Sequence, residues 1–312
     1  MNTLICGSMA YDTIMVFKDQ FKKHILPEQL HILNVAFLVP EMRREYGGCA
    51  GNIAYNLQLL GGRPLIMATV GDDFGPYATR LEKLGLPQTH IRTVSGNFTG
   101  QAFITTDLDD NQITAFHPGA MSMSHLNHVN AAKEVTLGIV SPDGRDGMIN
   151  HAQEFAEAGI PFVFDPGQGM PMFSGSELLD FIAQANYITV NDYEAKLLQD
   201  KTGKTLSEIA QRVTALIVTL GADGSMIYAD NKQIAIPTPK PKAIVDPTGC
   251  GDAYRAGLLY GMERGWDWET TGRLASLMGS LKISSRGGQN HRYSLTEISD
   301  LFKQHFGFAI KL

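Results

Sequence analysis

Residues 246–254, DPTGCGDAY, place two glycines and a cysteine between a threonine and an aspartate. The apolar approach PKAIV immediately precedes this stretch, and RAGLLYGMERG follows with helical spacing of its Ala, Leu and Gly residues. Loop, glycine turn and buried helix, in that order, aim free backbone N–H groups at whatever lies before the helix. Gly249, Cys250 and Gly251 offer those groups. Glycine lets a backbone approach an anion closely, and the helix dipole favours a phosphate there. Asp252 then stands inside the anion site, where a carboxylate repels phosphate. Proton transfer is one reason to keep it: a base beside a transferring phosphoryl group activates an attacking hydroxyl. Taken alone, the ordinary reading of an acid in the first turn of a helix comes first.

Such a turn needs a scaffold, and the chain alternates strand and helix patterns. TLICGS, PLIMATVG, VTLGIVS, PFVFDPG, YITVND and ALIVTLG read as short buried strands. AGNIAYNLQLLGG, FGPYATRLEKLG, GMINHAQEFAEAG and SELLDFIAQA read as helices between them, with two more over residues 266–284 and 294–305. This predicts a three-layer α/β/α sandwich around a mostly parallel sheet in a single domain, 1–312. Ligands of such sheets gather at the C-terminal ends of the strands. QAFITTDLDDNQITAFH breaks the alternation as a hairpin. DTIMVF and NVAFLV, around residues 12–17 and 34–39, read as strands outside the main sheet. Together these pieces predict a small discontinuous β lid formed by about 12–45 and 96–118, against the alternative of an edge extension of the main sheet.

Composition narrows the function classes. Hydrophobic residues make up 44% and charged residues 19% of 312, a globular balance. A net charge of −6 argues against nucleic acid as the main partner, which demands a basic face. No stretch of about 18 apolar residues suggests a membrane span, and no leader pattern opens the sequence. Three cysteines predict reduced thiols and a cytoplasmic protein. No G-x-G-x-x-G follows the first strand and no Walker A motif is present, which disfavours a Rossmann dehydrogenase and a P-loop kinase. His125 and His128 lack the Cys or acid partners of a metal site.

Four motifs in order resemble those of the ribokinase (PfkB) family of carbohydrate and nucleoside kinases: GGCAGNIAYNLQLLGG (47–62), NDYE (191–194), TLGADG (219–224) and DPTGCGDAYRAG (246–257). Cys250 stands where the family usually has Ala; a small side chain preserves a site built from backbone, and a redox role is the weaker alternative. The resemblance implies Asp252 as the base and Gly249, Cys250 and Gly251 as the anion hole. It implies that Asn191 and Glu194 organise Mg²⁺ through water, and that Thr219, Gly221 and Gly224 line the ATP site. Asn191 and Glu194 also read as a helix cap, and residues 219–224 as a tight turn. On the acceptor side, GSMAYD reads as the end of the first strand with Asp12 as its last residue, and the resemblance implies Asp12, Gly48 and Asn52 as sugar-hydroxyl contacts, against the ordinary readings of Asp12 as a turn residue and Asn52 as a helix-start residue. SSRGGQ (284–289), with Asp246, Arg286 and Gly288, falls where family members complete a monovalent-cation loop suited to K⁺; the alternative is a helix C-terminal glycine turn.

The segment FKKHILPEQLHILNVAFLVPEMRREYGG is long for a sugar-kinase lid and resembles that of the nucleoside branch, as does AFHPGAM. An apolar lid suits a flat base. The expected activity is therefore ATP-dependent phosphorylation of a nucleoside 5′-hydroxyl, adenosine first, with inosine, guanosine and cytidine as further acceptors. Phe37, Phe103, Phe116 and His117 are candidate base or ribose contacts; packing within the lid is at least as good a reading of each phenylalanine. A ribokinase- or fructokinase-type sugar kinase and a non-catalytic nucleotide-binding sensor are the rivals. The small molecules are the expected partners, and the chain is expected to act as monomer or homodimer.

Overall fold

The computed structural model describes residues 2–25, 34–109 and 111–312. In chain order the elements begin with β1 (Asn2–Cys6), β2 (Ala10–Val16), β3 (Glu41–Gly47), α1 (Cys49–Leu59), β4 (Pro64–Val70) and α2 (Gly75–Leu84). Then come β5 (His90–Thr93), β6 (Gly100–Thr106), β7 (Gln112–His117), β8 (Val135–Val140), α3 (Arg145–Glu157), β9 (Phe162–Phe164) and α4 (Gly175–Gln184). The remainder is β10 (Tyr187–Asn191), α5 (Asp192–Thr202), α6 (Leu206–Ala210), β11 (Ala215–Thr219), β12 (Ser225–Ala229), β13 (Lys232–Ile236), α7 (Cys250–Glu263), α8 (Trp268–Lys282) and α9 (Leu295–Phe306).

Among the described residues, a main sheet runs β13-β12-β11-β10-β9-β8-β1-β4-β5. It is parallel from β11 to β5 and antiparallel only at the β11-β12-β13 edge. Its strands are apolar on both sides, as a sheet covered on both faces requires. Ile5, Ile66 and Ala68 point into one core, shared with α1, α2, α7, α8 and α9. Leu4, Cys6 and Met67 point into the other, shared with α3, α4, α5 and α6. The C-terminal ends of the parallel strands and the N-terminus of α7 are thereby held at one edge by rigid layers.

A second sheet, ordered β3-β2-β6-β7, is built from the two segments expected to form the lid. Two expectations need correction. NVAFLV is not a strand; the strand is β3, seven residues further on, and residues 26–33 of the lid segment lie outside the described residues, as does Asp110 in the hairpin. The sequence hides β3 because it is an edge strand, and edge strands carry charge. Its EMRREYG still pairs with β2 over its whole length. Asp12 does not end β1, which stops at Cys6; it lies within β2 of the small sheet.

Candidate active site

Gly249 is the N-cap of α7, with φ 78°. That left-handed backbone is strained for any residue with a Cβ, so the turn demands glycine. The cap leaves the N–H groups of Gly249, Gly251 and Asp252 without an acceptor among the described residues, while Cys250 donates its N–H to the Pro247 carbonyl at 3.1 Å. Of the three residues expected to form an anion hole, Gly249 and Gly251 keep free N–H groups, Asp252 adds its own, and the Cys250 N–H is already committed. The Cys250 thiol is pushed up to about 11 by burial, which leaves it protonated and argues against redox chemistry.

The Asp252 carboxyl is half-buried, and desolvation lifts its pKa to about 6 against the opposing pull of the Asn52 amide and the Arg255 guanidinium. Asn52, in the first turns of α1, donates from Nδ2 to Asp252 Oδ2 at 2.9 Å. A relay fixes the orientation of that amide. Gln289 Nε2 donates to Asn52 Oδ1 at 3.1 Å and to Tyr77 Oη at 2.5 Å, and Tyr77 Oη donates to the Gly47 carbonyl at 2.9 Å. Gly48 next to it has φ 86°, and a Cβ there would sit 2.5 Å from the Ser8 carbonyl oxygen and 2.6 Å from the Ala10 nitrogen. The glycine pair thus lets α1 start against the strand that carries Asp12. Burial, followed by Asp246 and Glu45, lifts the Asp12 carboxyl to about 6 as well.

On the nucleotide side, Asn191 and Thr219 are register partners at the C-terminal ends of β10 and β11. Asn191 and Glu194 form a reciprocal helix cap: Glu194 N donates to Asn191 Oδ1 at 2.7 Å and Asn191 N to Glu194 Oε2 at 2.8 Å. The capping alternative is therefore realised. The other carboxylate oxygen of Glu194 makes no hydrogen bond among the described residues, and burial raises this carboxyl above its ordinary range. Such a donor fits a hydrated Mg²⁺. A direct cage is not present: among the described residues, no group of three or more His, Cys, Asp or Glu could hold a metal. Residues 219–224 form the expected turn, with Gly221 in the left-handed region and the Leu220 N–H donating to the Gly224 carbonyl at 2.8 Å.

The lid residues separate by register. Glu45, Asp12, Ala102 and Phe116 are successive cross-strand partners and share one face; Arg44, Thr13, Phe103 and Ala115 share the other. Phe103 and His117 therefore point away from the Asp12 face, which corrects their assignment as base contacts. Phe37 packs against Phe17 and Phe21, with ring centroids 4.8 and 4.9 Å apart, so the packing reading holds for it. Phe116 alone of the four lies on the Asp12 face.

The expected cation loop also needs correction. The Lys282 ammonium donates to the Asp246 carbonyl at 2.7 Å and the Ser285 carbonyl at 3.0 Å. The Arg286 carbonyl accepts from the Asn290 amide, and Gly288 is pressed against Asn52. Asp246 keeps its carboxylate ionised: burial raises it, but N–H groups of Gly287 and Thr248 more than offset that. These carbonyls are taken by a lysine and do not fit a resident monovalent ion.

Residues 12–294 match the family described as pfkB family carbohydrate kinase. The chain belongs to the PfkB family. It is an ATP-dependent kinase. A nucleoside kinase of Methanocaldococcus jannaschii is 31% identical over 275 residues, 87% of this chain and 90% of the relative. A Burkholderia thailandensis nucleoside kinase solved with inosine is 54% identical, with a TM-score of 0.91 over 99% of this chain and 100% of that one. The same enzyme solved with ADP-inosine superimposes at a TM-score of 0.88, with 55% identity over 99% and 97%.

Within this PfkB kinase, several residues that complete the site were not singled out from the sequence. Tyr77 and Gln289 orient Asn52. Asp165, just past β9, receives a two-pronged ion pair from Arg255 of α7, both contacts at 2.9 Å and both side chains buried. Arg255 also donates from Nη1 to the Gly251 carbonyl at 3.3 Å. Ile14, Ala102 and Ile104 extend the Asp12 face. A period of two counted from Asp12 reveals Ile14; the others need the strand register.

Proposed function

We propose that this kinase transfers the γ-phosphoryl group of ATP to the 5′-hydroxyl of a purine nucleoside, with adenosine and inosine among its acceptors. The observation that carries the reading is the make-up of the Asp12 face of the small sheet. Beside a carboxylate suited to paired ribose hydroxyls lies an apolar strip of Ile14, Ala102, Ile104 and Phe116. Phe116 is half exposed there, available to a flat base. A bare sugar has no use for such a strip. The inosine held by the Burkholderia relative supports the same acceptor class.

In this mechanism Asp12 and Asn52 hold the ribose, and the small sheet excludes water from the reacting atoms. Asp252 accepts the 5′-hydroxyl proton as that oxygen bonds to the γ-phosphorus and the bond to the β-phosphate oxygen breaks, releasing ADP. The free N–H groups of Gly249, Gly251 and Asp252 meet the charge on the transferring group. Asn191 and Glu194 would hold hydrated Mg²⁺, which supplies charge neutralisation on the phosphates.

The test is phosphorylation across adenosine, inosine, guanosine, cytidine, ribose, fructose and fructose phosphate. The best nucleoside should exceed the best sugar in kcat/KM by at least about a hundredfold. A sugar ahead of every nucleoside overturns the acceptor assignment while leaving the kinase intact. Asp252→Asn should cut kcat by about a thousandfold or more with ATP binding retained; normal turnover would remove Asp252 as the base.

A further inference from the structure

We infer that Lys282 supplies, as a built-in ammonium, the cation that ties together the two segments flanking the anion hole, so that the chain works without a bound monovalent ion. Lysine is among the side chains least often buried, yet Lys282 is 0% exposed. It ends α8, where unpaired carbonyls and the helix dipole favour a cation. Its ammonium reaches across to a different loop and joins the Asp246 carbonyl to the Ser285 carbonyl. Asp246 opens the stretch that turns into Gly249 and α7; Ser285 opens the turn that leads to Gln289 and so to Asn52. Both sides of the site are thus gathered on one positive charge.

Other bonds follow the same seam. Val245 and Asp246 donate their N–H groups to the Ile283 carbonyl, and Gly287 donates to Asp246 Oδ2 at 2.8 Å. Burial lowers the Lys282 pKa from its ordinary value, and Cys250, Asp246, Asp252 and Glu45 around it oppose that lowering and favour the charged amine. A monovalent ion would compete for the same two carbonyl oxygens. It would also strand a buried ammonium without acceptors, at a high cost in desolvation. The inference rests on the anion-hole reading of residues 249–252, not on which acceptor the enzyme uses.

The experiment compares wild type and Lys282→Met in buffer whose only cation besides Mg²⁺ is tetramethylammonium, with KCl, NH₄Cl or LiCl added. Wild-type kcat should change by less than about twofold with K⁺, a general salt effect. Lys282→Met should lose about tenfold to a hundredfold in kcat through misplacement of the hole, with the KM for ATP little changed. K⁺ or NH₄⁺, but not Li⁺, should restore part of that kcat and raise the melting temperature of the variant without raising that of wild type. Lys282→Gln, which keeps a neutral donor, should show the same ion response in weaker form and serves if the Met variant does not fold. Strong activation of wild type by K⁺ overturns the inference; so does a variant that folds and shows no ion response. If residues 249–252 prove not to form the anion hole, the melting shifts still decide the role of Lys282.

Discussion

Asp252 and Asp12 are two carboxyls lifted to about 6, and in the proposed mechanism they set the pH behaviour. A base must be ionised to accept a proton, so kcat/KM should rise with pH through about 6 and then level off. In Asp12→Asn the like charge near Asp252 is gone, and the midpoint of the Asp252 limb should move to lower pH. The same shift has a cost in stability. The Asp252 carboxyl titrates near 3.8 when unfolded and near 6 when folded. Below the first value it is protonated in both states and costs nothing; as pH rises through the second, the folded state bears the charge in a desolvated place and loses stability. Asp252→Asn should therefore raise the melting temperature at pH 7 and above, by an equivalent of about 2–3 kcal/mol, and the gain should vanish toward pH 4. An unchanged melting curve at both pH values would contradict a desolvated carboxylate. Gln289 acts through Asn52 as a positioning residue. Gln289→Leu leaves Tyr77 Oη and Asn52 Oδ1 without their donor, a loss of about 1–3 kcal/mol in stability. It should also free the Asn52 amide to turn from Asp252, which raises the kinetic pKa; a purely structural role would leave that pKa in place.

At the level of elements, the small sheet divides its residues into two faces, and the division can be tested. Phe116→Ala should raise the KM for a nucleoside by about tenfold, from the loss of a base contact worth about 1–2 kcal/mol, and leave kcat nearly intact. Phe103→Ala, on the opposite face, should change neither. Equal effects of the two substitutions would contradict the register. This division shows what was legible in the sequence. The apolar runs that became β1, β4, β8, β10 and β11 announce themselves, because a strand buried on both faces is apolar throughout. The helix N-terminus at Gly249 was equally plain, since a glycine turn ahead of a buried helix has few other readings. β3 was not, because its charged EMRREYG looks like a loop until it pairs with β2. Phe103 and Phe116 looked alike because aromatic type says nothing of face; only the pairing of Ala102 with both Asp12 and Phe116 assigns it. Lys282 was invisible for a related reason: at the polar end of a helix a lysine reads as solvated.

Across the whole molecule, the ion pair of Arg255 with Asp165 joins the α7 layer to the sheet and lies beside the proposed base. The two partners act on Asp252 in opposite directions, the guanidinium lowering its pKa and the Asp165 carboxylate raising it. Their effects on stability run in the same direction, because removing either partner leaves the other buried and unpaired. Arg255→Met and Asp165→Leu should each cost about 3–5 kcal/mol, whereas the double variant should recover most of that loss. The kinetic pKa should follow a different pattern: above wild type in Arg255→Met, below it in Asp165→Leu, and close to it in the double variant. The double variant still lacks the contact from Arg255 to the Gly251 carbonyl, so its kcat should stay below wild type even where stability and pKa are restored. Denaturant unfolding and pH–rate profiles on the four proteins separate these roles. If kcat returned fully with stability, the pair would be only a tie between layers; if the two single variants shifted the pKa in the same direction, the charges of the pair would not be what sets the base.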